Sequence, residues 1–149
     1  MPRVMIVEDD LTILSNLSQI LQLSGLDVSE ACDGAMALEL LREHHAQGNG
    51  IPRLIVSDLM MPKIDGFELL KTVRGDAVFK SIPFVLLSAR SEASDLQQAF
   101  ALGANDYLVK PFEVEHLIEV IRYHISEGAE QTGGTPVAGF TADTDFFLE

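Results

Sequence analysis

The sequence predicts an α/β protein built on a doubly wound, five-stranded parallel sheet, a (βα)5 unit, and three observations carry that prediction. Short apolar runs rich in Val, Ile and Leu alternate with longer segments of helical period. Five such runs separated by helices require crossover connections, so the strands lie parallel, and right-handed crossovers put helices on both faces. Finally, three runs end abruptly in charge: Val4-Met5-Ile6-Val7 enters Glu8-Asp9-Asp10, Leu54-Ile55-Val56-Ser57 enters Asp58, and Tyr107-Leu108-Val109 enters Lys110-Pro111. The carboxyl ends of the strands are where open α/β sheets bind ligands.

Taken in order, the first strand is Arg3–Val7, followed by a helix with Ile13, Leu17, Ile20 and Leu21 on one face. Asp10, at the start of that helix, fits a capping or dipole role. The second strand is Val28–Ala31, and Ala37, Leu38 and Leu41 mark its helix. His44-His45-Ala46-Gln47-Gly48-Asn49-Gly50 reads as a polar connection, and the paired His have neither Cys nor an acidic neighbour at metal-ligand spacing. Leu54–Asp58 is the third strand, with Leu69, Leu70 and Val73 on the following helix; Phe84–Ser88 is the fourth. Tyr107–Val109 is the last strand, with Tyr107 on the opposite alternation from the core. The final helix carries Val114, Leu117, Ile118, Ile121 and Ile125 and stops at Gly128.

A chain of 149 residues holds one domain and an appendage. The folded domain is expected over residues 1–126, with a flexible acidic linker or C-terminal tail over 127–149. The tail has no Lys or Arg, and its apolar content is concentrated in Phe146-Phe147-Leu148. That cluster reads as a disordered end, the beginning of a downstream domain or a docking peptide. Gly133, Gly134 and Gly139 make ordering costly and favour a tether. The net charge of −13 repels phosphate backbones, so direct nucleic-acid contact is not expected. Cys32 has no internal disulfide partner, no signal peptide is visible, and no apolar run approaches the ~20 residues of a membrane span, which makes the cytoplasm the simplest address.

Four motifs in order resemble the receiver domain of two-component response regulators over roughly residues 3 to 125. They are Glu8-Asp9 after the first strand, Asp58 in a D-x-x-M-P frame, Ser88-Ala89 after Val85-Leu86-Leu87, and Lys110-Pro111-Phe112. The resemblance implies a flavodoxin-like receiver fold in which Asp58 accepts a phosphoryl group from a phosphohistidine. A carboxylate nucleophile forms a mixed anhydride, which hydrolyses readily and so makes a reversible mark. Because nucleophile and phosphoryl group are both anionic, a divalent cation is needed, and three carboxylates suit Mg²⁺ better than zinc. The family pattern makes Asp9 and Asp58 direct ligands, the Met60 carbonyl a third, and Glu8 a ligand through water. Lys110 would hold a phosphoryl oxygen, aimed by a cis Lys110-Pro111 bond, and Ser88 would donate to another with Ala89 leaving room.

The same resemblance makes Ser88 and Tyr107 a switch that changes the surface around the fourth helix, fifth strand and fifth helix. That face would include Arg90, Ala93 and Tyr107, with the fifth helix ending in Arg122-Tyr123-His124. Implied partners are a sensor histidine kinase or histidine phosphotransfer protein and a downstream protein or output domain, with a phosphorylation-induced dimer as one form of output. The expected role is a signalling phosphoacceptor with no turnover chemistry beyond its own phosphorylation and dephosphorylation. Other readings are a receiver-like contact module working without phosphorylation, or the amino-terminal receiver of a longer regulator or hybrid kinase. A flavin module would need a phosphate cradle where Glu8-Asp9-Asp10 stands, and an Asp-dependent phosphatase an acid where Met60 stands.

Overall fold

The computed structural model describes residues 3–48 and 50–128. Strands β1 (Arg3–Val7), β2 (Asp27–Ala31), β3 (Leu54–Asp58), β4 (Phe84–Ser88) and β5 (Asp106–Val109) alternate with helices α1 (Leu11–Leu23), α2 (Gly34–Ala46), α3 (Gly66–Arg74), α4 (Ala93–Ala101) and α5 (Val114–Gly128). The strands form one parallel sheet in the order β2-β1-β3-β4-β5. The order reverses direction at β1, which puts a crevice at the carboxyl ends of β1 and β3. No described helix is long and apolar enough to cross a membrane.

Each sheet face carries its own core. Met5, Val7, Ile55, Phe84, Leu86 and Tyr107 pack with residues of α2, α3 and α4, whereas Val4, Ile6, Leu54, Val56, Val85, Leu87 and Leu108 pack with α1 and α5. Alternate residues of one strand therefore enter opposite cores, which is why β3 and β4 are buried throughout and read as unbroken apolar runs. This corrects the placement of Tyr107: its alternation takes it out of the α1/α5 core and into the α2/α3/α4 core, where it is 1% exposed.

Three acids at the carboxyl edge serve the helices behind them. Asp10 accepts from the backbone N–H groups of Thr12 and Ile13, Asp33 from Met36, and Asp65 from Glu68, capping α1, α2 and α3. Strands β2 and β5 each begin one residue earlier than their apolar runs suggest. The polar connection after α2 is shorter than expected, because His44, His45 and Ala46 belong to the last turn of the helix. The His44 ring lies 3.2 Å from Arg3 Nη1 and 3.5 Å from Ser29 Oγ, so its two ring nitrogens meet partners on β1 and β2. Helix α5 includes residues 127 and 128 of the segment read as a tail; the remainder, with Phe146-Phe147-Leu148, lies outside the described residues.

The first residue of α3 fixes where β3 ends. A Cβ added to Gly66 would lie 2.7 Å from the carbonyl oxygen of Asp58 and 2.8 Å from Leu59 Cα, and the Gly66 N–H donates to the Leu59 carbonyl at 2.9 Å. Only a residue without a side chain lets the helix approach Asp58 this closely. Gly66→Ala is expected to cost about 1–3 kcal/mol of unfolding free energy, the range for overpacking a tight contact; urea denaturation measures it, and a loss below the error of the fit would contradict the contact.

Candidate functional site

Glu8 and Asp9 follow β1, Asp58 is the last residue of β3, Ser88 the last of β4, and Lys110 follows β5. The sheet thus brings five residues from four separate segments to one mouth. Lys110 Nζ donates to Asp58 Oδ1 at 2.7 Å and lies 3.6 Å from Glu8 Oε1. The Lys110-Pro111 bond is cis, and the Lys110 N–H donates to the Ser88 carbonyl at 2.8 Å, continuing the β4/β5 ladder up to the site.

The three carboxylates differ in burial. Glu8 and Asp58 are 3% and 6% exposed, whereas Asp9 faces solvent. Each offers an oxygen within 4.8 Å of the others. Glu8 Oε2 accepts from the Asp10 N–H at 3.1 Å, but Glu8 Oε1 is buried with no hydrogen-bond partner. A buried anionic oxygen without a donor is costly, and a cation would relieve both that deficit and the mutual repulsion of the acids. The donor set is all oxygen and open to water through Asp9, so it fits a hard ion that keeps part of its hydration shell. Met60, two residues past Asp58, exposes its side chain.

Ser88 is fully buried, and its Oγ accepts from the Arg90 N–H at 2.9 Å. The Ser88 side chain also hydrogen-bonds the Tyr107 hydroxyl, whose pKa burial raises and Ser88 acts to lower. The neighbouring Ala89 is exposed. Tyr107 Oη donates to the Arg90 carbonyl at 2.8 Å, and the Arg90 side chain reaches Asp95 at 3.4 Å and Met60 Sδ at 3.7 Å. The two residues expected to act as a switch therefore grip one peptide segment from both sides. Asp95 does not stand out in the sequence; an acid in the first turn of a helix has a ready capping explanation, and nothing local signals its pairing with Arg90.

A second buried pair is equally silent in the sequence. His124 Nε2 lies 3.0 Å from Asp106 Oδ2, both side chains being almost wholly buried. Of Arg122-Tyr123-His124, only the first two face outward. A clue is present nonetheless, since His124 follows Ile121 by three residues on the apolar stripe of α5.

Burial pushes the carboxyls of Glu8 and Asp58 above their ordinary values, against the opposing pull of Lys110. Burial also acts to lower the Lys110 ammonium, but Asp58 and Glu8 outweigh it and raise its pKa. A carboxyl raised on folding stabilises the fold fully below its ordinary pKa and loses that contribution as pH climbs through the raised folded value. At neutral pH without metal, both acids are therefore a burden on the fold. Asp58→Asn keeps an acceptor for Lys110 and removes one charge, so it is expected to raise the metal-free Tm at pH 7 by a few degrees. Calorimetry should find this gain shrinking as pH falls towards the ordinary carboxylate range; a gain that grows on acidification would contradict the assignment.

Residues 4–122 match the sequence profile of the response regulator receiver domain. The DNA-binding dual master transcriptional regulator RpaA of Synechocystis sp. is 39% identical over 126 residues, covering 82% of this chain and 48% of RpaA. Protein PilG of Pseudomonas aeruginosa is 32% identical over 123 residues, covering 83% of this chain and 87% of PilG. The chain thus spans about half the length of RpaA but most of PilG. Among solved structures, the receiver domain of Francisella response regulator 1452 aligns with a TM-score of 0.75 at 30% identity, covering 85% of this chain and 98% of that domain. The chemotaxis protein CheY4 of Vibrio cholerae aligns with a TM-score of 0.73 at 32% identity, covering 83% and 98%. With the strand order, the acid cluster and Lys110 all within the span that this profile matches, the chain belongs to the response regulator receiver domain family.

Proposed function

We propose that Asp58 accepts a phosphoryl group from the phosphohistidine of a sensor histidine kinase or histidine phosphotransfer protein, and that the modified site rearranges a protein-contact surface. The observation that carries this reading is the pairing of a strand-end carboxylate with Lys110 at 2.7 Å beside two further acids. Glu8, Asp9 and Asp58, with the Met60 carbonyl, are the residues that would hold Mg²⁺. When bound, the ion supplies charge neutralisation between the attacking carboxylate and the incoming phosphoryl oxygens.

In the transfer, an Asp58 oxygen attacks phosphorus, the O–P bond forms as the N–P bond breaks, and the bonding pair stays on the departing imidazole nitrogen. Lys110, already at the carboxylate, moves its ammonium to a phosphoryl oxygen. Ser88 turns its hydroxyl to donate to another, and exposed Ala89 leaves room beside it. Drawing Ser88 Oγ towards the phosphoryl group pulls it from the Arg90 N–H, and Arg90 is the residue whose carbonyl holds Tyr107. The change therefore passes to the β4–α4 loop and to the face made by α4, β5 and α5. Such a device selects between two states already available to the loop. Output through protein contact suits a chain of net charge −13 better than direct DNA contact.

Labelling with acetyl phosphate or phosphoramidate tests the chemistry. Asp58→Asn should abolish Mg²⁺-dependent incorporation, and incorporation near the parent rate would end the assignment. Asp9→Ala should slow labelling by roughly 10–100-fold at subsaturating Mg²⁺, because even outer partners of a metal site are worth that much; equal labelling in chelator would sink the metal role. Ser88→Ala should still be labelled but should leave the amide signals of Arg90 and Tyr107 at their unphosphorylated positions. Signals matching those of the phosphorylated parent would remove Ser88 from the switch.

A further inference from the structure

The opposite edge of the sheet carries a feature that phosphoryl transfer does not use. Ile51, Pro52 and Arg53 precede β3, Ser81, Ile82 and Pro83 precede β4, and with Ile125 near the end of α5 they enclose an open cleft of about 170 Å³. Ile51 packs against the α2/α3/α4 core and Ile125 against the α1/α5 core, so the cleft opens between the two. A five-residue strand separates it from the Asp58 mouth by roughly 17 Å.

Charge is distributed unevenly around it. Arg3, Arg53, Arg74 and Lys80, four of the ten Lys and Arg residues in a chain of net charge −13, belong to this edge. The Arg53 N–H donates to the Arg3 carbonyl at 2.8 Å, and Arg74 Nη1 donates to the carbonyls of Ile82 at 2.7 Å and Lys80 at 3.1 Å. Arg53 and Lys80 are exposed. Of the nearby acids, Asp76 is occupied by the backbone N–H groups of Val78 and Phe79, and Asp27 stands opposite Arg3 across the β1/β2 pairing.

Helix α5 delivers the chain to this same edge, and the sequence beyond the helix is complementary to it in charge. Residues 129–149 contain no Lys or Arg, and Asp143, Asp145 and Glu149 flank Phe146-Phe147-Leu148. We propose that the cleft is the docking site for Phe146-Phe147-Leu148 of the same chain, with the flanking acids facing Arg53 and Lys80. Seventeen residues lie between 128 and 146, and a Gly-rich chain of that length spans about 23 Å on average, ample for a cleft beside Ile125. Such a tether raises the effective concentration of the segment to the millimolar range, so a weak bare affinity suffices for occupancy. The volume admits one aromatic side chain, with its neighbour left to cover the rim. Sequence alone favours a free tether, because ordering three apolar residues needs a surface to offset its entropy; the cleft supplies that surface. Docking here leaves both the Asp58 mouth and the α4, β5 and α5 face open.

Isoleucine methyl spectra of the full chain test the proposal. Replacing Phe146 and Phe147 together with Ala should shift the δ-methyl signals of Ile51, Ile82 and Ile125 while leaving that of Ile6, buried near the far edge, in place. Asp143→Asn with Asp145→Asn should move the same three signals part of the way in the same direction. Unchanged signals in either variant would overturn the assignment. So would parent signals that move with protein concentration, since a second copy would then be the source of the occupant.

Discussion

The carboxyl edge is governed by one electrostatic problem: three acids converge within 4.8 Å, and one ammonium, that of Lys110, pairs with two of them, Asp58 and Glu8. Lys110 does so from β5 at the far side of β4, so its contact with Asp58 ties the end of the sheet to its centre. The arrangement is a compromise, because burial penalises Glu8 and Asp58 more than Lys110 compensates them and both carboxyls stay raised. A cluster of acids left short of positive charge is what the metal site of a receiver domain resembles.

The supporting structure serves that edge. Asp10, Asp33 and Asp65 are engaged as helix caps, outside the cluster of Glu8, Asp9 and Asp58. The backbone approach at Gly66 fixes the end of β3. At the opposite edge of the sheet, Arg74 donates to the Gly103 and Ile82 carbonyls and to Asn105 Oδ1, which in turn accepts from the Phe84 N–H. These bonds join α3 to the starts of β4 and β5, the strands that carry Ser88 and Lys110. Burial acts to lower the pKa of the Arg74 guanidinium, yet so basic a group stays charged and its bonds hold across the working pH range. By contrast, the backbone of Arg90 is held by two side chains, its N–H by Ser88 and its carbonyl by Tyr107, so the β4–α4 loop is coupled to the ends of β4 and β5 through these two contacts.

Most of the fold and the principal acids are legible in the sequence. Five apolar runs of strand length, helix-period stripes between them and charged strand ends are local signals, and local geometry alone turns them into a doubly wound sheet with acids at one edge. Asp10 as a cap can be read for the same reason, since capping involves only the next three residues. Tyr107 cannot be assigned to a core by alternation, because a sheet covered on both faces has an interior on each side. His44 and His45 look like loop residues because their partners, Arg3 on β1, Ser29 on β2 and Phe79 in the α3–β4 connection, are distant along the chain.

The sequence by itself therefore determined the class of fold and which acids and lysine stand at the ends of the strands, since periodicity and motif order are properties of neighbours along the chain. Only the tertiary structure decided that Glu8 has an oxygen with no donor, that Ser88 and Tyr107 grip the same residue, that His124 is buried against Asp106, and that an apolar cleft with a cationic rim sits where α5 ends. Nearly all of these depend on distances between residues far apart along the chain. Such distances are set by how the helices pack on the sheet, which no local pattern encodes.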